Sequence, residues 1–271
     1  MHYIDEGAGE IILFVPGTFS WSFDFWKVIK PLSKHYRCIA IDHIGSGLSD
    51  QPEEHDYSAK AHSNALEHFI LDMGLRDITM VVHNLGGPIG LHVAMRHAGL
   101  IKKMIIMNSW LWNCATDPVF IKLSKTLRNP FQIFMYRYLN YPPKAVLHVL
   151  EKRRKPGHNG QLVKQQEKAE YRSIAIKSAK ALLEEQEWYE QLWSERTKIS
   201  KKPVLFIWGE KDRFTSNAHL RKFISGFENN MVHVIKSSGH FPHEEAPLQV
   251  AVSIWTWLSQ SKQAENELIR G

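Results

Sequence analysis

The sequence predicts an α/β protein: a mostly parallel sheet covered by helices on both faces, with a helical segment inserted between two of its strands. Three observations carry this. Short runs rich in Val and Ile recur along the chain, helical patterns lie between them, and the alternation stops once, over residues 113–196. Strands alternating with helices place parallel strands beneath helical layers.

The runs are residues 11–15, 38–41, 78–82, 104–107, 204–208 and 231–235. Each is strand-length and lacks strict polar alternation, as expected where both faces of a strand are covered. In residues 58–73, Ala61, Ala65, Leu66, Phe69, Ile70 and Met73 recur at helical spacing and mark one face. Residues 246–258 form a second helical pattern. Pro247 opens it at a first-turn position, where its missing N–H costs nothing.

Residues 113–196 read as several helices broken at Asn129-Pro130, Pro142-Pro143 and Pro156-Gly157. Their aromatics (Phe131, Phe134, Tyr136, Tyr138, Tyr141, Tyr171, Trp188, Tyr189 and Trp193) exceed what one thin helical layer buries alone. The segment is therefore expected to rest on the sheet as a cap. Residues 1–112 and 197–271 would then form the core, and 113–196 the cap, as one functional unit.

Composition narrows the class. The chain has 271 residues, 44% hydrophobic and 23% charged, which fits a soluble globular protein and not a disordered or collagenous one. No apolar run nears the roughly 20 residues that span a bilayer, and the first ten residues lack the basic and apolar regions of a signal peptide. A cytoplasmic protein is expected. Cys38 and Cys114 are too few for a disulfide framework or a four-thiolate zinc site. The net charge of +6 lies wholly in residues 144–202, with 14 Lys/Arg against 8 Asp/Glu, while the remainder has 20 of each. Solvated cap helices account for this surplus better than a nucleic-acid or membrane partner.

Ligands of open parallel sheets bind beyond the carboxyl ends of the strands. The residues after each run are therefore the candidates. They are Pro16-Gly17-Thr18-Phe19, the stretch 42–50 (DHIGSGLSD), His83-Asn84-Leu85-Gly86-Gly87, Gly209-Glu210-Lys211-Asp212 and Ser237-Ser238-Gly239-His240-Phe241. This order of loops resembles the α/β-hydrolase fold, and most closely its haloalkane dehalogenase and epoxide hydrolase branch. The resemblance runs over nearly the whole chain. Its most specific pieces are residues 42–50, VVHNLGGPIG at 81–90, WGEKD at 208–212 and SGHFPHEEAP at 238–247.

The resemblance implies a nucleophile, acid and histidine in that chain order, falling on Asn84, Asp212 and His240. His240 would activate water as general base, with Asp212 fixing its tautomer. Gly86 leaves room for a sharp strand-to-helix turn. The backbone N–H groups of Leu85 and Thr18 would form an oxyanion hole, with Phe19 and Trp110 expected beside the substrate. The aromatic cap implies a small, largely apolar organic substrate. No nucleotide, flavin or metal motif calls for a cofactor. His243 has no third ligand to match it and reads as ordinary loop polarity.

Several positions depart from the family pattern. A dehalogenase or epoxide hydrolase has aspartate where this chain has Asn84, and an esterase has serine. A carboxylate can displace halide or open an epoxide, giving an ester that activated water cleaves, whereas a neutral carboxamide is a very poor nucleophile. Leu85 stands where dehalogenases place a tryptophan whose indole N–H holds the leaving halide. Pro16-Gly17-Thr18 replaces a loop that commonly supplies histidine and asparagine. The family usually carries an edge strand or hairpin before the segment matching residues 2–7, so either that strand is missing here or the sequence is trimmed before it.

Four functions fit these residues. The first is a hydrolase by descent with a substituted or deamidating residue at 84. The others are an enzyme that uses the His240–Asp212 pair without a covalent nucleophile, a small-ligand binder without activity, and a nucleic-acid protein acting through the basic residues 152–155. The retained acid and histidine favour an enzyme, and the first of these functions leads. The sequence leaves the oligomeric state open.

Overall fold

All six apolar runs form strands of one seven-stranded sheet. The computed structural model describes residues 1–17, 20–139 and 169–270. The strands are β1 (Tyr3–Glu6), β2 (Ile11–Val15), β3 (Arg37–Ile41), β4 (Ile78–Asn84), β5 (Ile101–Ser109), β6 (Val204–Gly209) and β7 (Asn230–Ile235), in the spatial order β1-β3-β2-β4-β5-β6-β7. Strands β2 to β7 pair in parallel. β1 runs antiparallel to β3 at the edge, with Tyr3 opposite Ile41. This sheet edge is therefore made by the segment of residues 2–7 itself. The four residues of β1 are mostly exposed, so no apolar run announces it.

Successive residues of each strand point to opposite faces, and both faces are covered. Leu13, Val15, Met80, Val82, Met104, Ile106, Phe206 and Trp208 join one core cluster. Ile12, Phe14, Val81, Ile105, Met107, Leu205 and Ile207 join the other. This two-sided burial is why the runs show no polar alternation. Each fully buried aliphatic side chain contributes about 1.5–3 kcal/mol relative to exposure. The first cluster is closed by α2 (Ala59–Asp72), α3 (Gly86–Arg96) and α8 (Asn217–Gly226), and the second by α1 (Trp26–Leu32) and α10 (Pro247–Arg270). α9 (Pro242–Glu245) is a single turn before α10.

α2 starts where its cap residue dictates: the Ser58 hydroxyl accepts the Ala61 N–H at 3.1 Å. Its buried face is rotated by about one residue from the apolar pattern. His62, Ser63 and Glu67 are buried, while Ala61, Ala65 and Phe69 are only half-buried. Specific partners explain the rotation. The Ser63 hydroxyl donates to the Ile89 carbonyl, and Glu67 pairs with Arg96 and His97.

Between β5 and β6 the described elements are helices: α4 (Pro118–Leu127), α5 (Pro130–Leu139), α6 (Ala169–Glu184) and α7 (Gln186–Glu195), followed by one 3-10 turn. The break at Asn129-Pro130 is observed. Pro142-Pro143, Pro156-Gly157, Tyr141 and the basic residues 152–155 lie outside the described residues. Tyr136, Tyr171 and Tyr189 are buried, whereas Phe131, Phe134 and Tyr138 are exposed, so only part of the aromatic set is covered. Glu185, between α6 and α7, ties this layer to the core by accepting the Ala59 and Lys60 N–H groups at the start of α2. Cys38 and Cys114 are free and buried, and burial pushes both thiols up to about 12. No described helix is long and apolar enough to cross a membrane.

Candidate active site

The site is built where β4 ends and α3 begins. Asn84 holds a left-handed backbone conformation, φ +53°, which L residues adopt at a cost and which recurs at functional turns. Two glycines make the turn possible. A Cβ on Gly86 would lie 2.2 Å from the Val15 carbonyl oxygen, and one on Gly17 would lie 2.4 Å from the Asn84 Cβ. The Ser109 hydroxyl, at the end of β5, donates to the Asn84 carbonyl at 2.7 Å and holds the turn from the other side.

Loops after β6 and β7 bring Asp212 and His240 to this turn. Asn84, Asp212 and His240, distant in sequence, form one hydrogen-bonded chain. The Leu85 N–H donates to Asn84 Oδ1 at 2.6 Å, which leaves Asn84 Nδ2 facing His240 Nε2 at 2.7 Å. With the carboxamide nitrogen as donor, Nε2 is the acceptor. The ring proton therefore sits on Nδ1, which lies 2.7 Å from Asp212 Oδ2. A histidine in this tautomer presents its basic lone pair toward residue 84.

Asp212 is buried and remains ionised. Burial alone would raise its carboxyl. The His240 ring and its hydrogen bond, the Thr215 hydroxyl and the Phe214 N–H outweigh that and hold it at about 2. Oδ2 also accepts the Asn108 Nδ2–H at 2.7 Å, and Oδ1 accepts the Phe214 N–H at 2.7 Å. Asn108 is held in turn by the Gly209 N–H. Among these, only the absence of a competing acid at Asn108 is legible in sequence. Its role as a donor to Asp212 depends on β5 and β6 being neighbours. His83 is another such residue: its Nε2–H donates to the His240 carbonyl at 2.7 Å and anchors the loop that carries His240.

The remaining expected residues fall as follows. The Leu85 N–H, expected to meet an oxyanion, is engaged by Asn84 Oδ1, and Leu85 lines a pocket. Trp110 is fully buried. Its ring meets Phe214 edge-on, and Phe214 in turn meets His240. Thr18 and Phe19 lie outside the described residues. His243 is not loop polarity: it is fully buried and stacks on Phe25 with ring centroids 4.4 Å apart. The polar residue is covered because the loop after β7 turns back into α9 over α1. No cluster of side chains suited to a metal ion occurs among the described residues.

A model of the α/β hydrolase fold matches residues 10–247, and the chain belongs to that family. Within it the chain is similar to haloalkane dehalogenases. It is 27% identical over 258 residues to haloalkane dehalogenase 2 of Mycobacterium tuberculosis, covering 94% of this chain and 90% of that one. It is 26% identical over 276 residues to a cis-3-alkyl-4-alkyloxetan-2-one decarboxylase of Shewanella oneidensis, covering 97% and 86%. The crystal structure of a haloalkane dehalogenase from Bradyrhizobium elkani superposes with a TM-score of 0.83 at 19% identity, over 97% of this chain and 94% of that one, a likeness of fold.

Proposed function

We propose that the protein is a hydrolase for a small, largely apolar molecule, with His240 as general base, Asp212 as its partner and Asn84 in the nucleophile's place. The observation that supports this reading best is the chain from Asp212 through His240 to Asn84 and the Leu85 N–H. A carboxylate at position 84 would receive the Leu85 N–H and the start of α3 on one oxygen and present the other to an electrophile. His240 would then draw a proton from water as that water attacks the Cγ of the resulting ester, with Asp212 stabilising the imidazolium.

The neutral carboxamide blocks the first of these steps. Turnover through a covalent ester therefore begins when residue 84 becomes a carboxylate. Residues 113–196 act in this reading as a cap over the site. Haloalkanes, epoxides, short esters and lactones supplied to the unaltered chain and to Asn84→Asp test the proposal. Turnover of one class by Asn84→Asp, lost again when His240→Ala is added, is the expected result. Inactivity of Asn84→Asp toward the whole panel would refute it.

A second reading has one observation in its favour: the His240 lone pair already faces a neutral hydrogen-bond donor instead of a carboxylate. The His240–Asp212 pair would then abstract a proton from substrate without any covalent step. In that case His240→Ala abolishes a reaction that Asn84→Ala only weakens.

A further inference from the structure

The pocket beside the site has a polar wall that the proposed chemistry does not use. It begins at Gly17 and Leu85, the neighbours of Asn84. Ile89, Ile174 and Ala175 give it an apolar lining suited to a small organic molecule. Its lining also includes two histidines: His43, from the loop after β3, and His62, from α2. Both are more than nine-tenths buried, and their ring centroids are 5.1 Å apart.

Neither ring is fully satisfied. His43 Nε2–H donates to the Pro16 carbonyl at 2.9 Å, so Nδ1 carries the lone pair, and that atom meets no hydrogen-bond partner among the described residues. His62 Nδ1 meets none either. Leaving a buried polar atom without a partner costs about 1–3 kcal/mol. The two rings line the cavity, and a molecule held there can supply the missing bonds.

The chemistry of the missing partner follows from the rings. Burial disfavours the charged form of both, and for His62 the neighbouring His43 and His55 act in the same direction, while Asp42 opposes it at His43. The pair is thus neutral, and its His43 lone pair would repel a carboxylate. A hydroxyl suits it: the O–H donates to His43 Nδ1 while the oxygen remains able to accept from His62. We propose that His43 and His62 bind a hydroxyl group of the substrate, so that the molecule taken is apolar but carries an alcohol remote from its reacting centre. This deepens the hydrolase reading and rests on it.

Three probes of similar size test the inference by ligand-observed NMR titration: 1-hexanol, its isomer methyl pentyl ether, which accepts but cannot donate, and hexanoate. The protein is expected to bind 1-hexanol about tenfold more tightly than the ether, the yield of one buried hydrogen bond, and to bind hexanoate more weakly than the alcohol. His43→Phe, which removes the acceptor of the hydroxyl proton, should erase the preference, and His43→Gln should recover part of it. Equal binding of alcohol and ether, tighter binding of hexanoate, no saturable binding, or a preference unchanged in His43→Phe would each overturn the inference. The wild-type comparison decides the matter even if a variant fails to fold. Because the readout needs no turnover, an inactive Asn84→Asp would refute the hydrolase reading without imitating any of these outcomes.

Discussion

Replacing Asp212 with asparagine removes the charge that orients His240 and leaves its surroundings unchanged in shape. In the native site Oδ2 accepts from His240, Asn108 and Thr215, and Oδ1 accepts from the Phe214 N–H. A carboxamide offers one oxygen and one NH2 to these four donors, so at least one donor faces another. The folded carboxyl sits at about 2 against an ordinary 3.8. That difference is worth about 2 kcal/mol at neutral pH. With an orphaned donor added, Asp212→Asn should cost about 3–5 kcal/mol at pH 7. Because the folded value is depressed, this contribution is present above the ordinary carboxylate range and is lost as pH falls through the folded value. About half of the linked 2 kcal/mol should be gone by pH 3. Urea unfolding of both proteins at pH 7 and pH 3 reads the effect, and the stability gap should narrow in acid. A gap that is independent of pH, or that widens in acid, would refute the assignment of Asp212 as a buried, ionised partner of His240.

Other parts of the site predict further outcomes. With Oδ1 on the Leu85 N–H and His240 at its nitrogen, the Asn84 carboxamide is placed for hydrolysis in situ. Aged protein should gain about 1 Da at that residue, and His240→Ala should not. A methyl group at Gly86 would meet the Val15 carbonyl at 2.2 Å, so Gly86→Ala should lower stability by about 3 kcal/mol in thermal or urea unfolding. His83→Phe removes the donor to the His240 carbonyl. It should cost about 1 kcal/mol of stability and, in the Asn84→Asp background, slow turnover by about tenfold with little change in KM.

The parallel strands were legible because burial on both faces turns each into an uninterrupted apolar run, as in residues 11–15 and 204–208. β1 was not legible, since an exposed four-residue edge strand such as Tyr3–Glu6 is held by backbone bonds to β3 and not by side-chain burial. The buried face of α2 was misjudged for a related reason: Ser63 and Glu67 are covered by virtue of single polar partners that only the fold supplies. At the site, Asn84, Asp212 and His240 could be placed by the loops they occupy and by family resemblance. Asn108 and His83 could not. Each acts through a partner about 100 to 160 positions away, Asp212 for the first and the His240 carbonyl for the second. His243 shows the same limit, because nothing local indicates that a histidine in the sequence FPHEE will be buried against Phe25.

The assignment of residue 84 as the blocked nucleophile is tested most directly by intact mass spectrometry of Asn84→Asp/His240→Ala, mixed with whichever substrate Asn84→Asp turns over. With a carboxylate restored and water activation removed, the protein should accumulate a covalent adduct at position 84 in about one-to-one amount. Full turnover by Asn84→Asp with no adduct in the double variant would contradict the account.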